Sequence, residues 1–191
     1  MAIPRGKYSR GYLPHFEEGD VPQFVTWRTA DAVPASVLAQ WKHELRDQES
    51  AIGKAEILRR IEAFCDQGHG ECPLMNPAAA LRVQRELLVS DGSLCELHAW
   101  VIMPNHVHCI LTPKGCTLAK VLGQIKGASS RSVNQLLGRE GTLWQRESFD
   151  RLIRNSEHFE RTKAYIEWNP VKAKLCEEPS GWAFSSASQR G

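Results

Sequence analysis

His106, His108, Tyr165 and Asn169 carry side chains that could bind a cation or attack a phosphate. In His106-Val107-His108, residues i and i+2 of an extended segment project from one face, so both imidazoles point one way and Val107 the other. Two neutral imidazoles converging from one face make two legs of a divalent metal site. Tyr165 and Asn169 lie four apart in a helical stretch and share a face one turn apart. A tyrosine that attacks a phosphodiester needs a cation nearby, which polarises the phosphate and stabilises the charge that develops on it. An amide oxygen at Asn169 could complete that metal's shell, with Tyr165 beside it as nucleophile. Each residue also has an ordinary reading. The histidines could be satisfied by backbone or water near a turn, Tyr165 could be a core tyrosine with a surface hydroxyl, and Asn169 could cap a helix before Pro170.

The secondary structure that carries these residues follows from hydrophobic and turn patterns. Phe24-Val25-Thr26-Trp27, after the acidic turn Glu17-Glu18-Gly19-Asp20, reads as a first strand. Pro34 opens a helix with Val37, Leu38, Trp41 and Leu45 at helical spacing, and a second helical pattern carries Ile57, Ile61 and Phe64 until Gly68-His69-Gly70 breaks it. A loop from Pro73 to Pro77 leads to a third helix, Ala78 to Val89, ended by Asp91-Gly92. Glu96 to Met103, the turn Pro104-Asn105 and His106 to Thr112 form a β-hairpin pattern. Thr117 to Leu137 reads as a helix closed by Gly138, and Leu143 to Ile153 as extended or mixed. A last helix starts near Ser156, with Asn155 or Ser156 as N-cap, Glu157 and Glu160 at its positive end, and Pro170 at or just past its finish. This order predicts an α+β chain on a ferredoxin-like, split βαβ plan with an antiparallel sheet. Residues 1–191 are read as one domain, with about 47–94 a helical elaboration before the hairpin.

With 191 residues, 42% hydrophobic and 24% charged, the chain can bury a full core, which excludes disorder as its main state. No apolar run approaches the roughly 18–20 residues that span a bilayer, and the first residues lack the apolar core of a secretory signal. A cytosolic protein is expected. Cys65, Cys72, Cys95, Cys109, Cys116 and Cys176 include no C-x-x-C pair and read as reduced thiols. The net charge of +2 says little, but 120–154 holds seven basic residues against three acidic ones. Arg5, Lys7 and Arg10 add three more with no acid among the first ten residues. Such stretches suit phosphate binding, although a solvated basic face has the same composition.

The block Trp100-Val101-Ile102-Met103-Pro104-Asn105-His106-Val107-His108-Cys109-Ile110-Leu111 resembles the HUH motif of single-tyrosine transposases, in which two histidines flank a hydrophobic residue. Tyr165-Ile166-Glu167-Trp168-Asn169-Pro170-Val171-Lys172-Ala173 looks like the nucleophile helix of the REP-associated tyrosine transposases, the branch linked to repetitive extragenic palindromes. Leu143-Trp144-Gln145-Arg146, Phe149-Asp150-Arg151 and Trp182-Ala183-Phe184-Ser185-Ser186 are similar to further blocks of that branch, in the same order, and Arg10-Gly11-Tyr12-Leu13-Pro14-His15 also looks familiar.

The resemblance implies an HUH endonuclease fold with His106 and His108 as metal ligands, Tyr165 as nucleophile and Asn169 as third ligand, where smaller relatives often carry Gln. It implies a DNA transposase that nicks and rejoins single-stranded hairpins through a 5′-phosphotyrosine, with Mg²⁺ or Mn²⁺ as metal, with a monomer favoured and a dimer the alternative. Arg5, Lys7, Arg10, Lys120, Lys126, Arg131, Trp144 and Arg146 are the candidate DNA contacts, and Trp168 is a further stacking candidate. For each tryptophan core packing competes with stacking. Three other functions compete: a domesticated hairpin-binding protein with little catalysis, a rolling-circle replication initiator, and a metalloenzyme unrelated to nucleic acid. A helicase motif is absent, and the P-C-x-x-C partner of a zinc deaminase is missing.

Overall fold

Two short strands, β1 (Lys7–Ser9) and β2 (Pro14–Phe16), pair antiparallel near the start of the chain, and the sequence pattern anticipated neither. The computed structural model describes residues 7–9, 14–16, 21–47 and 50–189. The main sheet holds β3 (Gln23–Arg28), β4 (Cys95–Ile102), β5 (His106–Pro113) and β6 (Phe149–Leu152) in the order β4-β5-β3-β6. Every neighbouring pair is antiparallel, so the first and third strands of the motif are central, as the split βαβ plan requires.

Strand alternation divides the molecule into two layers. Val25 and Trp27 on β3, Trp100 and Ile102 on β4, and Val107, Cys109 and Leu111 on β5 face one side. They pack against α3 (Pro77–Ser90) and α4 (Leu118–Leu137), whose Val83, Leu87, Val121, Leu122 and Ile125 recur at helical spacing and are buried. Phe24, Ala99, Val101, Ile110 and Phe149 face the other side and pack against Ile166 and Tyr165 of α5 (Ser156–Lys172). With both faces covered, all six residues of β3 are buried.

Local chemistry sets the ends of the helices. Asn76 caps α3 by accepting from the Ala78 N–H at 2.9 Å, with Pro77 at the first helical position. Thr117 caps α4, and Gly138 closes it in the left-handed region at φ 61°. Asn155 caps α5, accepting from the His158 N–H at 2.8 Å. Pro170 lies inside the last turn of α5 rather than at its end, so the helix runs on to Lys172. Asn169 is therefore an interior helical residue and not a cap.

Helix α1 (Ala35–Glu44) precedes the helical elaboration, which holds α2 (Ser50–Asp66), a 3₁₀ turn at Pro73–Met75 and α3. Ala32, Val33, Ile61 and Cys65 form a separate small core, joined by Leu38, Trp41, Ile57 and Phe64. Leu58 of α2 packs onto the α5 layer, whereas α3 belongs to the opposite one. The turn after α2 needs glycine at position 70: its φ is +87°, and a Cβ there would come within 2.8 Å of Asp31 Oδ2.

The exposed edge of β4 is covered by the C-terminal segment. Ile102 N–H donates to Phe184 O at 2.8 Å, Ser186 N–H to Trp100 O at 2.9 Å, and Trp182 Nε1–H to Ile102 O at 2.9 Å. All six cysteines are free thiols. Among the described residues no helix is long and apolar enough to cross a membrane.

Candidate active site

His106 and His108 project from central strand β5 into the α5 layer. The register sets Arg28 opposite His106, and places His108 between Thr26 on β3 and Val101 on β4. Both imidazoles are buried, and their ring centroids lie 4.7 Å apart. Each Nδ1 is engaged: His106 Nδ1 lies 2.8 Å from Asn105 Oδ1, and His108 Nδ1 lies 2.7 Å from Thr26 Oγ1. Asn105 Nδ2 in turn donates to His69 O at 2.8 Å, which turns its carbonyl oxygen towards His106. His106 Nδ1 is thus the donor, and its Nε2 lone pair is free. His108 Nε2 is buried without a hydrogen-bond partner. A ring held by an oxygen at Nδ1 and open at Nε2 is the arrangement of a metal-ligating histidine.

Helix α5 lays the other two residues over this pair. Tyr165 and Asn169 share one helical face, and Lys172 continues it one turn on. The Tyr165 ring packs edge-on to His108 at 5.5 Å and to Phe24 at 6.0 Å. Its hydroxyl is buried beside the Asn169 amide without a hydrogen bond of ordinary geometry. Asn169 is fully buried, and neither its Oδ1 nor its Nδ2 has a partner. Orphaned polar atoms of this kind cost about 1–3 kcal/mol each, so four in one place argue for a ligand that satisfies them. Two imidazoles and an amide oxygen could hold a divalent cation.

Charge around the site is mixed. Burial, reinforced by Arg28 and Lys172, pushes the His106 imidazole down to about 3. Burial, then the His106, Arg28 and Lys172 charges, push His108 well below the usual histidine range. Both rings are therefore neutral at physiological pH, the form that binds metal. Burial, then the Glu62 and Asp66 carboxylates on α2, push the Tyr165 phenol above the usual tyrosine range. Burial also raises the Glu62 carboxyl.

The fold brings His106, His108, Tyr165 and Asn169 together. The candidate DNA contacts fare differently. Trp144 is buried in the α3/α4 core, where its Nε1–H donates to Ser129 Oγ at 3.0 Å, so its ring is not free to stack on a base. Lys126 is not a free surface cation either. Its Nζ donates to Gln145 O at 2.7 Å and to Arg146 O at 3.0 Å, and burial lowers it to about 8. Lys120 and Arg131 are exposed on α4, in the layer across the sheet from the histidines, and Arg146 is exposed ahead of β6. Trp168 is 55% exposed on α5. Arg5 and Arg10 lie outside the described residues, and of Lys7 only the β1 backbone is described.

Sequence reasoning missed Thr26, Arg28, Glu62, Asp66, Asn105 and Lys172. An arginine closing an apolar strand was the one available signal, since Arg28 is only 5% exposed. The others carry no spacing signature, because register and helix docking bring them to the site.

The antiparallel sheet, the paired histidines on its central strand and the tyrosine helix above them define an HUH-type fold. Residues 87–169 match the family model described as Transposase IS200 like. Over 93 residues the chain is 32% identical to the REP-associated tyrosine transposase of Escherichia coli K12, covering 48% of this chain and 53% of that protein. The chain spans about half the length of the curated relatives it matches. Among solved structures it resembles a REP-associated tyrosine transposase bound to a REP hairpin, with a TM-score of 0.54 and 21% identity over 96% of this chain and 84% of that one. At that identity the likeness establishes the fold.

Proposed function

We propose that this chain is a divalent-metal-dependent DNA transposase that cuts and rejoins single-stranded hairpin DNA through Tyr165. One observation carries this reading: the unpartnered Nε2 of His108, with the His106 ring beside it, the unpartnered Asn169 amide and the unpartnered Tyr165 hydroxyl meet in one buried place. His106, His108 and Asn169 would hold the ion, and the mixed imidazole and oxygen donors suit Mn²⁺ or Mg²⁺. Bound there, the cation would polarise a phosphate and lower the barrier to attack on it.

The protein's own residues do the rest. Tyr165 Oη loses its proton and bonds to the phosphorus of a phosphodiester, the P–O3′ bond breaks, and the departing O3′ takes up a proton. The product is a 5′-phosphotyrosine and a free 3′-hydroxyl. Attack by a 3′-hydroxyl on the same phosphorus reverses the step and rejoins DNA. The ester bond's free energy is kept in the protein–DNA link, so no nucleotide cofactor is needed. Arg28 and Lys172, the cations whose fields reach both histidines, would attract the phosphate. Exposed Trp168, Lys120, Arg131 and Arg146 are the available candidates for stacking and backbone contacts. The protein would act as a monomer.

The relatives' names support a role in transposition, and one solved relative is described as bound to a REP hairpin. The test is to incubate the protein with an end-labelled hairpin oligonucleotide carrying single-stranded flanks, in Mn²⁺ or Mg²⁺, and to run a denaturing gel. The expected result is a slow-migrating covalent adduct, absent with chelator and absent in Tyr165→Phe. Binding without any cleavage would favour a hairpin-binding protein of the same fold.

A further inference from the structure

The elaboration before the hairpin ends at the site. Asp66 is the last residue of α2, and its side chain is 10% exposed. Its Oδ2 accepts from Lys172 Nζ at 2.7 Å, which ties α2 to α5. Its Oδ1 is buried, has no hydrogen-bond partner, and faces His106 Nε2 at 3.9 Å. That separation is too long for a hydrogen bond. Two atoms bound to one ion at about 2.1 Å can stand at most about 4.2 Å apart, and 3.9 Å falls within that reach.

We propose that Asp66 is a further ligand of the metal held by His106, His108 and Asn169, a carboxylate delivered by the α2 insertion. This rests on the reading of the site as a metal site. Among the described residues no three His, Cys, Asp or Glu groups already surround a common point, so Asp66 must move slightly inward on binding. Lys172 holds the carboxylate in waiting and is 57% exposed, so it can release Oδ2 to solvent at low cost. Asp66 lies outside residues 87–169, so the ligand would come from beyond the segment that the family model matches. A carboxylate changes the chemistry of the site. A neutral set of two imidazoles and an amide binds hard divalent cations weakly, and an anionic oxygen strengthens that binding and biases it towards Mg²⁺ and Mn²⁺ over softer ions.

The experiment measures Mn²⁺ binding to the full chain without DNA, by calorimetry and by the loss of the free Mn²⁺ electron paramagnetic resonance signal. Wild type, His108→Ala, Asp66→Asn, Asp66→Glu and Lys172→Met are compared, with thermal unfolding in chelator as the folding control. The expected result is a loss of about tenfold or more in Asp66→Asn, partial recovery in Asp66→Glu, and unchanged or tighter binding in Lys172→Met. If Lys172→Met weakens Mn²⁺ as much as Asp66→Asn does, the effect runs through the ion pair and the ligand assignment is overturned. If His108→Ala abolishes binding while Asp66→Asn matches wild type, the Asp66 proposal fails and the metal reading stands. If wild type binds no Mn²⁺, both fail.

Discussion

Replacing Thr26 by valine tests whether the histidines are held ready for metal. Thr26 is buried on β3, and its Oγ1 lies 2.7 Å from His108 Nδ1. Valine keeps the shape and removes the hydroxyl, leaving Nδ1 unpartnered in the interior. An orphaned polar group of this kind costs about 1–3 kcal/mol. For a chain of this size each kcal/mol shifts Tm by about 2–4 °C, so Tm in chelator should fall by roughly 2–12 °C. The second effect is on metal: a ligating imidazole that loses the partner fixing its tautomer and orientation loses about 10–100-fold in affinity. Differential scanning calorimetry reads the first and Mn²⁺ titration the second. A variant that is destabilised as expected but binds Mn²⁺ like wild type would refute the claim that this bond orients a ligand.

In chelator, the unfolded chain takes up protons on His106 and His108 below 6.5 while the folded chain does not, because the folded His106 value is about 3. Stability should therefore fall as pH drops below 6.5, by about 1.4 kcal/mol per pH unit for each histidine; urea unfolding from pH 7 to 5 should show a flatter dependence in His106→Gln/His108→Gln. Trp144→Phe should cost about 1–3 kcal/mol through the lost Ser129 bond and leave hairpin affinity of the folded protein unchanged. Trp168→Ala should change stability by no more than about 0.5 kcal/mol yet weaken hairpin binding, with a lost stack worth about 1–3 kcal/mol; fluorescence anisotropy separates the two. Tyr165→Phe removes a buried hydroxyl with no partner, so it should unfold at the same temperature as wild type or higher, by calorimetry.

Local pattern made much of the fold legible. The alternation around Pro104-Asn105 located the hairpin, and Thr117, Gly138 and Asn155 marked helix ends that the structure places within a residue of expectation. The four residues of the candidate site stood out because each pair needs only a local period, two on the strand and four on the helix. What depends on layers was not. Lys120 and Arg131 lie on the polar side of α4 by helical period, but nothing local says that α4 covers the face away from the histidines. Trp144 sits among basic residues in sequence, yet its pairing with Thr29 at the end of β3 turns it inward. Arg28 meets His106 only because β3 pairs with β5. Asp66 precedes His106 by 40 residues and reaches it only through the docking of α2 on the α5 layer.

The central claim is that Tyr165 becomes covalently joined to DNA. The direct measurement is mass spectrometry of the protease-digested adduct formed with a hairpin oligonucleotide in Mn²⁺. The expected product is a peptide containing Tyr165 that carries the 5′-phosphate of the cleaved strand, with a free 3′-hydroxyl on the other fragment. A DNA-bearing peptide without Tyr165, or a cleaved strand with no protein attached, would contradict it.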